Sequence, residues 1–287
     1  MEKKIWGYKP SLRRQVVRLL CRLIIFALRI NGRSVFSNEF IQMLDPKFKV
    51  KFNNRDFTFR TGHGRLFWRA KTILTEEPLM ISWVNSMIPS DVVLDIGANV
   101  GMYSVLMADK VKTVYACELD TLNVAILKEN LHLNGLLDKV KIIPLACGSR
   151  AEMVDVKFRS LTYGDALQLI AGGDETQTFG SHPDTTGYVA SVLQLSLDEL
   201  FDEINLARPN KIKIDVDGNE LTVLSGTSKL LCGAREIYFE DGLTSACSDF
   251  ISFLVTNGFV EISREEQFAK SDKKQLVGYT TLFAKTD

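Results

Sequence analysis

Residues 92–101 constrain the fold of this chain more than any other stretch. They read Val-Val-Leu-Asp-Ile-Gly-Ala-Asn-Val-Gly: an apolar run reaches Asp95, and Gly97 and Gly101 then frame a tight turn. Glycine tolerates positive φ and lets the backbone approach a ligand closely. The residues after Gly101 have a helical pattern, so the order is strand, glycine turn, helix. That order predicts the start of a nucleotide-binding α/β domain.

The residues around this turn indicate which nucleotide it binds. Glu118 ends the next apolar run about 20 residues beyond the first glycine, where a carboxylate can accept ribose hydroxyls. Asn99 stands where the dinucleotide fingerprint has the glycine that approaches a pyrophosphate. Asp95 suits a cationic ligand better than a diphosphate, and S-adenosylmethionine has a sulfonium and an ammonium but no phosphate. The pattern therefore predicts S-adenosylmethionine; the alternative is that the two glycines only close a turn.

Strands and helices alternate along the rest of the chain. This alternation predicts a fold of the α/β class, with a mostly parallel sheet that helices cover on both faces. The last two strands are predicted to pair as an antiparallel edge. The predicted strands that bear on the site are Thr113–Cys117, 140–145, 192–195 and 211–216, with the closing pair at 259–262 and 280–283.

The N-terminal part differs from the rest of the chain in charge. Residues 1–77 hold 17 Lys/Arg and 6 Asp/Glu, a net charge of +11, and the remainder has a net charge of −11. Such asymmetry indicates an anionic partner, a membrane surface or a nucleic acid, or else two charge-complementary parts that pack together. We divide the chain into a basic extension, residues 1–74, with a β-hairpin around Asn53-Asn54, and a cofactor-binding domain, residues 75–287.

Residues 12–29 predict a basic amphipathic helix within that extension. Arg14, Arg18, Arg22 and Arg29 fall on one side of a helical wheel, and apolar side chains fall opposite. Arg22 interrupts the apolar stretch, which argues against a secretory signal, and no uncharged run reaches the ~18 residues that span a bilayer. The helix is predicted either to lie in a membrane interface or to dock on the catalytic domain.

The cysteines bear on the compartment and on zinc. The chain has five, scattered without CxxC spacing, and none pairs with a histidine at ligand spacing. This usage predicts reduced core thiols in a cytoplasmic protein and argues against a zinc site.

Three stretches together resemble the FkbM family of S-adenosylmethionine-dependent methyltransferases. They are residues 93–101, residues 115–120 (Tyr-Ala-Cys-Glu-Leu-Asp) and residues 211–221 (Lys-Ile-Lys-Ile-Asp-Val-Asp-Gly-Asn-Glu-Leu). The third is similar to the family's K-I-D-V-E-G-x-E signature, with Asp217 where the family usually has glutamate. The resemblance covers roughly residues 75–262. It implies a class I methyltransferase fold and O-methylation of hydroxyls on sugars, glycolipids or polyketides.

The signature places three charged residues on one strand. Side chains alternate along a strand, so Lys213, Asp215 and Asp217 are predicted to share a face near its carboxyl end, where α/β sheets bind ligands. An alcohol that accepts a methyl group must lose its proton, which a positioned base helps. Asp215 is the first candidate to orient or deprotonate the acceptor, and Lys213 is the second. Asp217 and Glu240, at the end of the next strand, are candidates to bind sugar hydroxyls.

Two alternatives apply to the same charged residues. The first is a Lys–Asp pair that only fixes the turn after the strand. The second is that Asp215, Asp217 and Glu240 hold Mg²⁺, which prefers oxygen ligands and would then bind the acceptor oxygen.

Cofactor contacts are predicted at the ends of three neighbouring strands. The glycine turn should frame the amino-acid part, Glu118 should bind the ribose, and Leu119 and Ala146 should flank the adenine. Tyr103 lies in the first turn of the following helix and is predicted to add a contact. The predicted cofactor-binding residues are Asp95, Gly97, Ala98, Asn99, Gly101, Tyr103, Glu118, Leu119 and Ala146.

The main hypothesis is a cytoplasmic O-methyltransferase that acts on a glycan, a glycolipid or another small-molecule hydroxyl. It would sit on the inner membrane face if residues 12–29 bind lipid. One alternative is RNA methylation, which the basic first third favours, but no interleaved aromatic and basic platform is present and we expect no nucleic-acid partner. Another is a non-catalytic scaffold that binds cofactor or membrane, against which the intact set of Asp95, Glu118 and Asp215 argues.

Overall fold

A computed structural model describes residues 12–27, 39, 43–166, 168–170, 187–216, 218–268 and 276–286. The chain forms two compact units, Met1–Pro46 with Lys270–Lys273 and Lys47–Ala269 with Lys274–Asp287. The first unit contains helix α1 (Leu12–Ala27), as predicted, and residues 28 and 29 lie outside the described residues. Within the described ranges, no helix is long and apolar enough to cross a membrane. The division predicted at residue 74 stays a prediction.

The second unit contains the other helices and strands described below. Its helices are α2 (Gly64–Thr72), α3 (Pro78–Ser86), α4 (Met102–Lys110), α5 (Thr121–Leu133), α6 (Leu197–Glu203), α7 (Glu220–Gly233) and α8 (Ser245–Thr256). Its strands are β1 (Lys47–Phe52), β2 (Arg55–Arg60), β3 (Val92–Ile96), β4 (Thr113–Cys117), β5 (Val140–Ile143), β6 (Ala146–Cys147), β7 (Glu152–Phe158), β8 (Leu169–Ile170), β9 (Tyr188–Leu195), β10 (Lys211–Ile214), β11 (Glu236–Asp241), β12 (Phe259–Phe268) and β13 (Leu276–Lys285).

The central sheet has the strand order β12-β13-β11-β10-β3-β4-β5. The strands from β11 to β5 run parallel, whereas β13 pairs antiparallel with both β11 and β12. Every residue of β3 and β10 is buried, as expected for central strands of a parallel sheet with both faces covered. The predicted fold class, an α/β Rossmann-like sheet with an antiparallel C-terminal edge, is confirmed.

The strand order reverses between β3 and β10. From β3 the chain continues outward through β4 and β5, and from β10 it continues outward on the other side through β11. Open α/β sheets bind ligands outside the carboxyl ends of their strands, at such a switch point. The register pairs Asp95 of β3 with Lys213 of β10 there. The fold therefore brings two of the predicted site residues together at the expected place.

The strand predicted at 192–195 does not join the central sheet. It belongs to the longer β9, which lies in a separate sheet with the order β6-β9-β7-β8 and pairs antiparallel with β7. Val156, Phe158 and Ile170 form the small core of that sheet with Ala146. The prediction of its place was wrong because alternating burial fits any strand with one buried face, and tertiary contacts choose its partner.

The segment before β3 holds a hairpin and two helices. β1 and β2 form the predicted hairpin, and its turn residues Asn53 and Asn54 have φ of 47° and 65°, a region that asparagine tolerates. Helix α2 was not predicted; it begins after His63, whose imidazole accepts a hydrogen bond from the first turn. Helix α3 begins at Pro78, where proline's missing N–H costs no hydrogen bond, and Glu77 precedes it.

Candidate active site

A buried ion pair lies at the switch point. Lys213 Nζ is 3.3 Å from Asp95 Oδ1 and 3.0 Å from Asp215 Oδ2. The side chains of Lys213 and Asp95 are only 2% and 1% exposed. Burial by itself lowers the pKa of Lys213, but the carboxylates of Asp215 and Asp95 outweigh it and hold that pKa above its usual value. Lys213 therefore stays cationic, which disfavours it as the proton acceptor and favours an electrostatic role.

Asp215 is the most exposed member of this group. It follows β10, its backbone N–H donates to Ile96 O at 3.1 Å, and its side chain is 32% exposed. Burial pushes the pKa of Asp215 up, but Lys213 and a hydrogen bond with Glu240 outweigh burial and lower that pKa. Asp215 is thus a partly exposed anion, and Glu240 of the neighbouring strand forms a hydrogen bond with it.

The glycine turn packs directly against this group. Gly97 has φ +80°, and a Cβ there would lie 1.9 Å from the carbonyl oxygen of Asp215. Gly101 has φ +74°, and its Cβ would meet Leu127 of α5 at 2.8 Å. Both glycines are therefore required by packing as well as by backbone conformation. The sequence pattern alone could not distinguish these two requirements from close approach of a ligand. Asp95 accepts a hydrogen bond from Ser104 Oγ of α4 at 2.5 Å.

Glu118 lies on the other side of the turn. Its buried carboxylate accepts backbone hydrogen bonds from Asn99 at 2.7 Å and Asp120 at 2.8 Å. Burial raises the pKa of Glu118 to about 7, against the opposing effect of these hydrogen bonds. Asn99 has φ +51°, and its Nδ2 donates to Asp165 O at 2.7 Å, which ties the turn to the loop after β7. The Glu118 carboxylate and the glycine turn are thus held together by a hydrogen bond.

The two residues predicted to flank adenine lie in the second sheet's core. Ala146 is buried in β6, and Leu119 packs partly buried against the same apolar cluster. Ala98 is buried in the glycine turn. Leu119, which follows Glu118 in the chain, thus belongs to an apolar cluster that includes Ala146.

A second cluster, not predicted as a group from the sequence, interacts electrostatically with Asp215. Tyr238 of β11 lies with its hydroxyl 3.3 Å from Glu77 Oε2, and Tyr103 of α4 also hydrogen-bonds Glu77. Burial, followed by the charge of Asp215, raises the pKa of Glu77 to about 7, while Lys213 opposes the shift. We call Glu77, Tyr103 and Tyr238 the Glu77 cluster. Tyr103, predicted as a cofactor contact, therefore belongs to this cluster and follows the glycine turn by two residues.

The sequence offered unequal signals for the members of this cluster. Tyr238 precedes Glu240 by two residues on the same strand, so alternation could have placed it on the same face. Glu77 lies in a segment without a recognisable motif, and no pattern in the chain points to it. Asp217, predicted to bind acceptor hydroxyls, lies outside the described residues.

A magnesium site is not supported. Among the residues that the structure describes, no group of three or more histidine, cysteine, aspartate or glutamate side chains is arranged to hold a metal ion. Lys213 also lies among the carboxylates and supplies the positive charge that a cation would otherwise provide.

Comparison with known proteins gives a family match and one relative by sequence. The FkbM methyltransferase domain matches residues 95–261. Hexuronic acid methyltransferase AglP from Haloferax volcanii is 26% identical over 175 residues, which is 60% of this chain and 65% of the relative. The chain thus covers less than two thirds of that relative's length.

Two solved structures are similar at low sequence identity. Methyltransferase FkbM from Methylobacillus flagellatus is 14% identical with a TM-score of 0.44, over 77% of this chain and 53% of that one. Trm5b from Pyrococcus abyssi is 12% identical with a TM-score of 0.45, over 83% and 55%. The family match covers more than half of the chain and includes both the glycine turn and the charged strand. The chain belongs to the FkbM methyltransferase family.

Proposed function

We propose that this protein is an S-adenosylmethionine-dependent O-methyltransferase that acts on a hydroxyl of a sugar. The observation that carries the proposal is the group of Asp95, Lys213 and Asp215 at the switch point of the sheet. Asp95 and Lys213 are buried there, whereas the anionic Asp215 is 32% exposed and lies against the glycine turn. A cofactor site and a site for a polar acceptor therefore lie side by side.

The residues around the turn fit the cofactor. Glu118 is buried, and a ribose would give its carboxylate two hydroxyl donors. S-adenosylmethionine, when bound, supplies a methyl group on a sulfonium, which needs no further activation. Leu119 and Ala146 offer the apolar contact that an adenine ring needs. The chain's own task is to hold the two reactants in line and to manage the acceptor proton.

On the acceptor side, Asp215 is assigned the task of orienting the hydroxyl. Its charge is fixed by Lys213, so it can accept a hydrogen bond from an alcohol throughout the neutral pH range. Glu240, in hydrogen-bonding contact with Asp215, and Asp217 are assigned to further hydroxyls of the acceptor. A sugar supplies several hydroxyls in one small molecule. The relative named for hexuronic acid methylation supports this class, although its identity to this chain is only 26%.

A methyl-transfer assay tests the proposal. The 287-residue chain and radiolabelled S-adenosylmethionine would be incubated with a neutral sugar glycoside, a hexuronic acid, an RNA or no acceptor. We expect a labelled sugar whose methyl group withstands mild alkali, because an ether survives conditions that hydrolyse a methyl ester. Label in RNA alone, or in no acceptor, would contradict the proposal.

Two variants complete this test. Asp215→Asn should abolish transfer while calorimetry shows unchanged affinity for S-adenosylmethionine. Asp249→Asn, on the exposed surface of α8, is the matched control and should behave as wild type. An Asp215→Asn variant that keeps more than about a tenth of the activity would remove Asp215 from the acceptor site, since misplacing a reactant can cost about 10²-fold.

A second proposal concerns α1 and a membrane surface. The side chains of Leu19, Leu23 and Phe26 are exposed, and Arg18 and Arg22 stand one helical turn apart. Basic residues near an anionic bilayer contribute on the order of 1 kcal/mol each. We expect the full chain to sediment with anionic vesicles and to be released by salt. The double variant Arg18→Glu/Arg22→Glu should stay in solution, whereas Lys128→Glu/Lys141→Glu should sediment; equal behaviour of both would refute membrane contact.

A further inference from the structure

The side chain of Glu77 does not cap the helix that follows it. Glu77 is the N-cap residue of α3, a place where short polar side chains usually accept a backbone N–H of the first turn. Its carboxylate makes no such bond and lies with Tyr238 and Tyr103. The neighbouring Glu76 behaves differently, because its carboxylate accepts Thr72 Oγ1 at 2.6 Å on the preceding helix. Two consecutive glutamates thus have different partners, and one of them belongs to the site.

The surroundings of Glu77 come from three parts of the site. Lys213 of β10 and Asp215, which follows that strand, act on Glu77 electrostatically. Tyr103 of α4 hydrogen-bonds Glu77, and Tyr238 of β11 does so at 3.3 Å. Tyr103 follows the glycine turn by two residues, so Glu77 lies next to the predicted binding place of the methionine part of the cofactor. Neither tyrosine supplies a positive charge, and Lys213 has Asp95 and Asp215 as its ion-pair partners.

The carboxylates of Glu77 and Asp215, which interact electrostatically, therefore have unequal surroundings. Asp215 has an ammonium group at 3.0 Å, which keeps it charged and makes it a poor proton acceptor. Among the described residues, Glu77 receives hydrogen bonds from the hydroxyls of Tyr103 and Tyr238, and burial together with the charge of Asp215 brings its pKa to about 7. Pairs of titratable groups whose environments separate their pKa values are typical of sites that divide orientation and proton transfer between two residues.

We propose that Glu77 accepts the proton that the acceptor hydroxyl loses during methyl transfer, while Asp215 orients that hydroxyl. This inference rests on the proposed function. In the step, the acceptor oxygen forms a bond to the methyl carbon as the carbon–sulfur bond breaks. The electron pair of that bond goes to sulfur, which becomes a neutral thioether. The hydroxyl proton goes to a carboxylate oxygen of Glu77, and the resulting acid returns it to solvent after product release.

Glu77→Gln tests the inference with a pH profile as the decisive measurement. We expect kcat to fall about 10²-fold or more, with unchanged affinity for S-adenosylmethionine. In wild type, kcat should rise with pH through an inflection near 7, because only the anion can accept the proton. That inflection should disappear in Glu77→Gln and return, with part of the activity, in Glu77→Asp. Glu76→Gln is the matched control and should keep both the rate and the inflection.

Tyr238→Phe covers the case in which Glu77→Gln does not fold. Loss of the tyrosine hydroxyl removes a donor that stabilises the Glu77 anion, so the inflection should move to higher pH. An unmoved inflection, or a Glu77→Gln variant with more than about a tenth of the wild-type kcat, overturns the inference and leaves the proposed function intact. A wild-type protein that methylates no sugar overturns the proposed function, and this inference falls with it.

Discussion

Replacing Lys213 with methionine removes the one ion-pair partner that the described residues provide for Asp95, whose carboxylate is fully buried. Asp95 is 1% exposed and keeps Ser104 as a hydrogen-bond donor, but its charge loses the ammonium group at 3.3 Å. Breaking a buried pair on one side costs about 3–5 kcal/mol, because an uncompensated charge remains. Asp215 adds little to that cost, since 32% of its side chain can be hydrated. We therefore expect the free energy of unfolding of Lys213→Met to fall by about 3–5 kcal/mol at pH 7.

Urea-induced unfolding followed by tryptophan fluorescence measures this loss, because the chain contains three tryptophans. The double variant Lys213→Met/Asp95→Asn should recover most of it, because replacing both partners is often close to neutral. Lys211→Met is the matched control on the same strand: its partner Glu236 is 29% exposed and keeps the Trp83 indole N–H at 2.7 Å. A Lys213→Met loss no larger than that of Lys211→Met, or no recovery in the double variant, would refute the reasoning.

Three further predictions follow from the site. Glu118→Gln should weaken S-adenosylmethionine binding in calorimetry by roughly 1–3 kcal/mol, the cost of a lost charged hydrogen bond; unchanged affinity would remove Glu118 from the ribose site. Gly97→Ala should abolish cofactor binding and lower the melting temperature, because its Cβ would overlap the Asp215 carbonyl 1.9 Å away; a stable variant that binds the cofactor would contradict this. Burial raises the pKa of both Glu77 and Glu118 from a usual 4.5 to about 7. Between these values the native state keeps protons that the unfolded chain has released, so the melting temperature should fall as pH rises from 5 to 8. Glu77→Gln and Glu118→Gln should each flatten that slope.

The sequence by itself determined the parts of this protein that depend on neighbouring residues. The strand, glycine turn and helix around residues 92–101 form as predicted, because positive φ at Gly97 and Gly101 is a local requirement. The Asn53-Asn54 hairpin forms for the same reason. Alternation of strands and helices predicted the parallel sheet, since such segments can bury their apolar faces only against one another.

Only the tertiary structure decided which distant residues meet. Glu77 interacts electrostatically with Asp215 although no motif marks it, and burial together with the charge of Asp215 raises its pKa. The pairing of Asp95 with Lys213 depends on strand register, and a shift of one residue would turn each side chain to the other face. β9 pairs with β7 in the second sheet. Its alternating pattern predicts one buried face but does not predict which strand lies next to it. Local conformation is encoded in adjacent residues, whereas charge compensation and proton affinity arise only when folding removes water from groups far apart in the chain.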